Sequence, residues 1–401
     1  MEVNPKTRSL PLAVFVLGLA VFCIGTTEVM VSGLLPMLAR DLDVSIPTAG
    51  LLISGYAAGV VVGGPVLTLA FLKTPRKKAV LILVALFVIG QSLGAIASNY
   101  TLLMGSRVLA ALAQGALFGI GSLLAVDLAG QHAKGRALAV MFGGLTIANV
   151  FGAPLGTLIG DAWGWRASFW AVAAVAALSL IAIARVVPPQ ASPPYAGVKR
   201  EFESFSKPAL WWALSVTALS QGGLFAAYSY FSPIFTEDGG FAAGAVPFLQ
   251  GLFGVGCLIG TMVGARFTDR YLHQTLCLGL GALVLTMAAF GLLIGSKLAA
   301  IIALAAFGVA AFAINPALQA QVINETESAP TLATTMNTSA FNIGNTIGPW
   351  LGGIAITAGW GFTSAVWVGA ALVTLALCIA FATARRGRQR VGGQSSQLKG
   401  A

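Results

Sequence analysis

Two charged side chains lie deep inside apolar stretches of this 401-residue sequence. Arg107 falls within TLLMGSRVLAALAQGALFGIGSL, and Glu28 falls within GLAVFCIGTTEVMVSGLLP. An arginine at the centre of a membrane span costs about 2.5 to 3.5 kcal/mol on insertion scales, so it normally faces a protein interior or a water-filled cavity and has a partner there. Glu28 lies about 12 Å below Pro36 and Arg107 about 9 Å below Thr101, at 1.5 Å per residue along each helix. We therefore predict that these two side chains meet at a similar depth.

Such a pair has the chemistry of proton coupling. Burial favours the neutral form of a carboxyl group, and a nearby guanidinium favours its charged form. The protonation of Glu28 would therefore switch when its access to water or its distance from Arg107 changes. A permanent ion pair that only joins two helices stays open as the structural alternative. Asp127, near the inner end of the same span as Arg107, is a weaker candidate for a second proton carrier.

The composition places these charges in a membrane protein. Hydrophobic residues make up 57% of the chain, charged residues make up 9%, and the mean hydropathy is +0.87. Apolar runs of 18 or more residues recur, and each is long enough to cross about 30 Å of hydrocarbon as a helix. The first run is too long for the apolar region of a signal peptide. We predict an all-α membrane protein with twelve transmembrane helices near residues 12–36, 48–71, 79–98, 101–126, 137–160, 167–187, 209–234, 244–267, 275–295, 298–321, 331–355 and 362–384.

The basic residues predict the orientation of these spans. If the N-terminus is cytoplasmic, nineteen of the 23 Lys and Arg residues fall on that side, Arg40, Arg166 and Lys297 fall on the other, and Arg107 lies within a span. This is the asymmetry of the positive-inside rule, with both termini cytoplasmic in a bacterial inner membrane. The net charge of +10 therefore indicates topology, and we expect no nucleic-acid partner. The four cysteines lie within spans without metal-binding spacing, so we expect no metal and no cofactor.

The chain divides into two halves with related sequences. A polar segment, Pro188–Pro208, separates six spans from six, which predicts an N-terminal half at 1–187, a cytoplasmic linker at 188–208, a C-terminal half at 209–390 and a flexible cytoplasmic tail at 391–401. The stretch from Asn149 to Gly156 aligns with Asn345 to Gly352 at a constant offset of 196 residues. Parallel duplication of a six-span unit, with the substrate site between the halves, is typical of one large class of secondary transporters. The glycines alone would also fit close helix packing.

These motifs resemble the major facilitator superfamily, in particular the twelve-span drug:proton antiporters of the arabinose-efflux and chloramphenicol-resistance branch. The stretch Gly25-Thr-Thr-Glu28 with Gly33-Leu-Leu-Pro36 is similar to that branch's first helix. Arg107 to Gly115 is similar to its fourth-helix motif, in which the arginine is implicated in proton coupling. The spacing of the antiporter motif occurs in span eleven, whereas the family usually carries it in span five. Span five here has one extra residue between its Gly and its Pro.

The resemblance also implies which residues act as gates. In the family, the loop after the second span forms a latch of charges and helix ends that holds one conformation closed. Here Leu72 stands where the family has an Asp, while the matching loop after span eight keeps the acid, so the latch is expected to depend on the second half. Simple topology is the alternative explanation for the basic residues of the first loop. The expected gating residues are Gly152, Pro154, Gly156, Gly348, Pro349, Gly352, Asp269 and Arg270.

A cavity for a small organic molecule should be apolar with a few polar groups. The polar and aromatic candidates within spans are Thr27, Gln114, Phe118, Asn149, Gln221, Phe225, Tyr228, Asn315 and Asn345. We expect a monomeric transporter in the lipid bilayer that exports a small-molecule substrate in exchange for protons. A proton symporter or facilitator on the same fold is the alternative. No nucleophile, metal cluster or nucleotide-binding motif supports an enzyme or a sensor.

Overall fold

The structure, a computed structural model, describes residues 10–130, 133–190, 208–325 and 330–397, without the side chains of residues 269, 330–335 and 384–397. This part of the chain is all α-helical and contains no strand. Ten of its helical segments are long and apolar enough to cross a membrane, which confirms the predicted fold class. Helices at Pro208–Tyr228 and Pro330–Thr357 occupy the other two predicted spans, consistent with a twelve-helix architecture.

Eight α-helices and a π-helical turn at Ala148–Gly152 form the first part of the described chain. The α-helices are α1 (Leu12–Val29), α2 (Val31–Asp41), α3 (Ile46–Ala70), α4 (Arg76–Ala95), α5 (Tyr100–Ala129), α6 (Lys134–Ile147), α7 (Ala153–Trp163) and α8 (Trp165–Val186). Side chains cap two of them. Ser45 accepts a hydrogen bond from the Thr48 amide at the start of α3, and Asn99 accepts one from the Leu102 amide at the start of α5.

The second part begins after the predicted linker, of which residues 191–207 lie outside the described residues. A π-helical turn at Ile234–Asp238 and a short 3₁₀ turn at Ala243–Ala245 interrupt it. Its α-helices are α9 (Pro208–Tyr228), α10 (Phe231–Pro233), α11 (Val246–Leu293), α12 (Lys297–Ala313), α13 (Asn315–Glu325), α14 (Pro330–Thr357) and α15 (Ser364–Gln397). Within α11 the backbone leaves helical geometry at Tyr271, between two of the predicted spans.

Span five carries a π-helical turn where its sequence departs from the family motif. A single residue inserted into an α-helix is absorbed as one wide turn, and such π-bulges recur at functional sites. The turn ends at Gly152, and Ala153 then separates that glycine from Pro154. In α14, where Gly348 directly precedes Pro349, the α-helix continues through the proline. The extra residue in span five therefore explains the difference between the two copies of the repeat.

Contacts within the chain define two compact units. The first comprises Met1–Ala196, Ser229–Glu237 and Phe241–Gly254, and the second comprises Gly197–Tyr228, Asp238–Gly240 and Val255–Ala401. Within the first unit α5 packs against α3 and α4, while α1 packs against α6 and α8. Within the second unit α9 packs against α14 and α15. The first unit thus includes short segments that follow the linker in sequence.

One face of α11 is apolar and exposed. Leu278, Leu285 and Leu292 are 74%, 71% and 73% exposed. Residues seven apart lie on the same face of a helix, two turns from one another. Large exposed leucines in a row along a span are expected on a surface that contacts lipid.

Candidate functional site

Three helices of the first unit bring a polar cluster together at the depth of Glu28. Helix α1 contributes Thr27 and Glu28, α3 contributes Tyr56, and α5 contributes Arg107 and Gln114. The two α5 residues are seven positions apart and therefore share one face of that helix. Thr27, Tyr56, Arg107 and Gln114 are buried, and Glu28 is partly buried. The structure thus places the two predicted coupling residues in one cluster.

Arg107 is held by α1 and by an aromatic ring. Its Nη1 donates to the Thr27 carbonyl oxygen at 2.8 Å and lies 3.3 Å from the Thr27 hydroxyl. The guanidinium carbon lies 4.0 Å from the centroid of the Tyr56 ring, within the range of a cation–π interaction. Nε and Nη2 are buried and find no hydrogen-bond acceptor within the described residues. The ring face is therefore a main source of stabilisation for this cation.

Glu28 is connected to that ring through a glutamine. Gln114 Nε2 donates to Glu28 Oε2 at 2.9 Å, and the Tyr56 hydroxyl donates to Gln114 Oε1 at 2.5 Å. One tyrosine therefore contacts the arginine with its ring and the glutamine with its hydroxyl. The sequence predicted Gln114 as a cavity residue and missed Tyr56. Nothing in the run that starts at Ile46 distinguishes Tyr56 from a packing residue.

The remaining predicted cavity residues of the first half are more dispersed. The Phe118 ring meets the edge of Phe142 at 5.9 Å between centroids. The Asn149 side-chain amide donates to the Leu145 carbonyl oxygen of its own helix at 3.0 Å. The side chains of Phe118 and Asn149 are both partly buried. Neither contact by itself points to a ligand.

The second unit contains a set of uncharged polar and aromatic side chains on α9, α13 and α14. Gln221 Nε2 donates to Asn315 Oδ1 at 3.1 Å, between α9 and α13. The rings of Phe225 and Tyr228 lie 5.8 Å apart, one helical turn further along α9. Asn345 is buried in α14. These five residues were predicted from sequence.

A second set of hydrogen bonds in this unit was not predicted. The Thr217 hydroxyl donates to Asn337 Oδ1 at 2.9 Å, and Asn337 Nδ2 donates to Gln319 Oε1 at 2.5 Å. The three residues come from α9, α14 and α13. Interhelical hydrogen bonds of this kind hold helices together in a bilayer.

The predicted gating glycines lie at close helix contacts in both units. A Cβ atom at Gly152 would lie 2.2 Å from the Thr26 hydroxyl oxygen, and one at Gly156 would lie 2.8 Å from the Met30 Cβ. A Cβ atom at Gly348 would lie 2.1 Å from the Gly222 carbonyl oxygen. Two further gating candidates, Pro349 and Gly352, are buried in α14, and Pro154 is partly buried in α7.

The basic loop after the second span contacts helix ends of its own unit. Arg76 forms an ion pair with Asp127, whose side chain is 41% exposed. Lys77 Nζ donates to the carbonyl oxygens of Ala184 and Val187, at 2.8 and 2.5 Å. A cation at this position satisfies the last carbonyls of α8 and complements its dipole. The loop therefore has specific contacts in addition to any role in topology.

In the matching loop of the second unit, the Arg270 guanidinium lies 5.3 Å from the centroid of the Tyr271 ring. The side chain of Asp269, the other predicted gating residue there, lies outside the described residues.

Ser32, Thr157 and Gln250 of the first unit form a buried hydrogen-bonded group that was not predicted from the sequence. Gln250 Nε2 donates to the Ser32 hydroxyl at 3.0 Å, and the Thr157 hydroxyl donates to Gln250 Oε1 at 2.8 Å. A Cβ atom at Gly33 would lie 2.0 Å from the Thr157 hydroxyl and 2.8 Å from Gln250 Oε1. Glycine at position 33 is therefore required for this close approach.

Asp41, the last residue of α2, lies outside the candidate spans. The Trp165 indole donates to its carboxylate at 2.9 Å, and Arg166 Nη1 donates to the same oxygen at 2.6 Å. These two hydrogen bonds hold the pKa of Asp41 below its usual range, and the bond from Trp165 has the larger effect. The group joins the end of α2 to the start of α8.

Comparisons with known proteins agree with this architecture. The sequence model of the family described as Major Facilitator Superfamily matches residues 17–339 of this chain. Inner membrane transport protein YdhP of Escherichia coli O157:H7 is 40% identical over 92% of the chain and 95% of that protein. The chloramphenicol resistance protein of Streptomyces lividans is 31% identical over 93% of the chain and 96% of that protein. Among solved structures, a bacterial homologue of the human lysosomal transporter Spinster superposes with a TM-score of 0.75 at 17% identity, covering 93% of this chain and 96% of that one.

Proposed function

Because the chain belongs to the major facilitator superfamily, we propose that it is a secondary active transporter that exports a small organic molecule in exchange for protons. The observation that carries this proposal is the cluster around Glu28. A partly buried carboxyl group lies within a candidate membrane span, in contact with Gln114 and in the same cluster as buried Arg107. Ionisable residues in such positions mark proton and substrate pathways in membrane proteins. The substrate is expected to be amphipathic, and the resistance relative makes chloramphenicol-like drugs the first compounds to test.

The mechanism follows from the two protonation forms of Glu28. As a carboxylate it accepts the hydrogen bond from Gln114 and is favoured by the positive charge of Arg107. When water reaches the site from the acidic side, protonation neutralises Glu28 and removes its attraction for that cation. Alternating access then exposes the neutral group to the other side, where it releases the proton. A bound substrate would compete with the proton and move in the opposite direction.

Proteoliposomes distinguish antiport from its alternatives. An acidic lumen should drive accumulation of an exported substrate against its gradient under antiport, whereas an acidic exterior should drive accumulation under symport. A facilitator should respond to neither gradient. The compounds tested as substrates in this assay are chloramphenicol-like drugs, sugars and nucleosides.

Two variants test whether Glu28 carries the proton coupling. Glu28→Gln should lose gradient-driven accumulation by at least about tenfold yet keep exchange of substrate, because the amide mimics the protonated form. Asp161→Asn, a change at an exposed carboxylate of α7, is the matched control and should behave as wild type. Uphill accumulation by well-folded Glu28→Gln would remove Glu28 from the coupling role.

We further propose that the protein lies in the inner membrane with both termini and the linker cytoplasmic. The asymmetry of Lys and Arg supports this orientation. In a variant without native cysteines, single cysteines at Ser192 and Ser395 should resist a membrane-impermeant thiol reagent in intact cells, and one at Thr236 should react. Labelling at Ser192 from outside would contradict this orientation.

A further inference from the structure

The two charges of the site are linked by a third side chain that the sequence did not single out. Tyr56 contacts Arg107 through its ring, with the guanidinium carbon 4.0 Å from the centroid, and contacts Gln114 through its hydroxyl at 2.5 Å. Gln114 in turn contacts Glu28 at 2.9 Å. We propose that Tyr56 is a positioning residue that couples Arg107 to the protonation of Glu28 through the amide of Gln114. The inference rests on the proposed function, which it deepens.

The orientation of the Gln114 amide carries the argument. A carboxamide presents an acceptor at one end and two donors at the other. When the Tyr56 hydroxyl donates to Oε1, the donor end of Gln114 faces Glu28, as the hydrogen bonds in the structure show. That arrangement suits a carboxylate, which only accepts. A protonated Glu28 is itself a donor, and it would be matched by the reversed amide, with Oε1 towards Glu28 and Nε2 donating to the phenol oxygen.

Tyr56 permits both orientations because a phenol hydroxyl both donates and accepts. Arg107 makes them unequal. A cation held against the ring withdraws electron density from the phenol, which strengthens the hydroxyl as a donor and weakens its oxygen as an acceptor. Arg107 therefore favours the orientation in which Gln114 donates to ionised Glu28. If a rearrangement moved the guanidinium off the ring, that preference would weaken and Glu28 would take up a proton more readily.

The relevant titratable groups lie on three different helices. In the described part of the chain, the groups that act electrostatically on Tyr56 of α3 are Arg107 of α5 and Glu28 of α1, and those that act on Arg107 are Tyr56 and Glu28. Tyr56 is therefore connected to the cation through its ring and, by way of Gln114, to the carboxyl group through its hydroxyl. An exclusively structural Tyr56 would leave the protonation of Glu28 unaffected when only its hydroxyl is removed.

Protonation of Glu28 is measurable without transport. A hydrophobic carbodiimide reacts with protonated carboxyl groups, so mass spectrometry of the Glu28 peptide across a pH series gives the midpoint of its protonation in purified protein. The variant Tyr56→Phe keeps the ring against Arg107 and removes the hydroxyl. We expect it to raise the labelling midpoint by about 1 pH unit, equivalent to roughly a tenfold change in the protonation equilibrium. The pH profile of transport should shift in the same direction.

Tyr100→Phe is the matched control. The Tyr100 hydroxyl also joins α5 to α3, by donating to the Thr48 carbonyl oxygen at 2.8 Å. Tyr100→Phe therefore also removes a phenol hydroxyl that joins α3 and α5. It should leave the midpoint of Glu28 labelling unchanged.

A double-mutant cycle tests the route through Gln114. Gln114→Ala alone should raise the midpoint, and Tyr56→Phe should then add nothing to it. If Tyr56→Phe does not fold, an unchanged midpoint in Gln114→Ala still overturns the proposal, because Gln114 is the route from Tyr56 to Glu28. An unchanged midpoint in either single variant, or a full additional effect of Tyr56→Phe in the Gln114→Ala background, would overturn the proposal. Because labelling needs no substrate, this outcome is separate from failure of proton-coupled export.

Discussion

The two copies of the duplicated glycine motif should respond differently to the same substitution. At Gly348 an added methyl group would lie 2.1 Å from the Gly222 carbonyl oxygen and 2.9 Å from the Ala226 amide nitrogen. Both obstacles are backbone atoms of α9. Ordinary contacts between heavy atoms are about 3.5 Å, so α14 must move away from α9 by about 1 Å in Gly348→Ala. No change of side-chain rotamer relieves that overlap.

At Gly152 the obstacle is a side chain. A methyl group there would lie 2.2 Å from the Thr26 hydroxyl oxygen and 2.9 Å from the Thr26 Cβ. The hydroxyl is buried and has no hydrogen-bond partner within the described residues. It can therefore be rotated or removed at little cost in hydrogen bonding. Gly152→Ala should be the milder variant, and Thr26→Ala should restore much of its lost stability.

Overpacking a tight interface costs about 1 to 3 kcal/mol. We expect about 2 to 3 kcal/mol for Gly348→Ala and about 1 kcal/mol for Gly152→Ala. For a chain of this size about 1 kcal/mol corresponds to a melting-temperature change of about 2 °C, which gives decreases of about 4 to 6 °C and about 2 °C. Gly281→Ala, with no atom within 4 Å of the added methyl group, is the control and should not destabilise the protein.

The assay is thermal unfolding of the purified variants in detergent, with transport measured below the lowest melting temperature. Equal melting temperatures for Gly348→Ala and Gly281→Ala would contradict a backbone clash at Gly348. If Thr26→Ala gives no recovery to Gly152→Ala, the clash at Gly152 does not lie in the Thr26 side chain.

Three further predictions concern the contacts outside the central cluster. Lys77→Gln should lower the melting temperature by about 1 to 2 °C, because it removes a cation from the C-terminus of α8, whereas the exposed Lys78→Gln should not. The folded-state pKa of Asp41 lies below its usual value, so its bond to Trp165 stabilises the protein above about pH 4 and is lost as pH falls through the folded pKa. Asp41→Asn should therefore reduce stability at pH 7 by at most about 0.5 kcal/mol, since the side chain is exposed, and the difference from wild type should vanish in acid. Deleting Ala153 should convert the π-helical turn to a regular α-helix and leave a folded protein by thermal melt, whereas a one-residue deletion in the middle of α5 should not fold.

Hydropathy predicted the helices because the bilayer imposes a minimum length and composition on each span. The same physics made Glu28 and Arg107 visible, since a charge within an apolar run is energetically expensive and therefore informative. Gln114 was predicted for the weaker reason that it is polar. The sequence did not predict which side chains connect Glu28 to Arg107. Sequence depth placed Glu28 beside Arg107, and the structure shows that Tyr56 and Gln114 connect them.

Tyrosine in a span gives no signal of its own, because most of its surface is apolar and suits ordinary packing. The Gln250 group was missed for a different reason. Gln250 lies 218 positions from Ser32 and 93 positions from Thr157 in the sequence. Nothing in the sequence around Ser32 or Thr157 indicates that either residue forms a hydrogen bond with Gln250. Pairing of this kind depends on how helices pack, which hydropathy does not report.

The position of Gln250 also has a consequence for the order in which the protein is made. Its amide forms hydrogen bonds with two buried hydroxyl groups, and both Ser32 and Thr157 leave the ribosome long before Gln250 does. The first compact unit includes residues 229–254 except for three, so its packing remains incomplete when the first six spans are in the membrane. Domains of soluble proteins generally fold from the N-terminus as they emerge. Here the nascent first half must wait in the bilayer, without the hydrogen bonds to Gln250, until the start of α11 has been inserted.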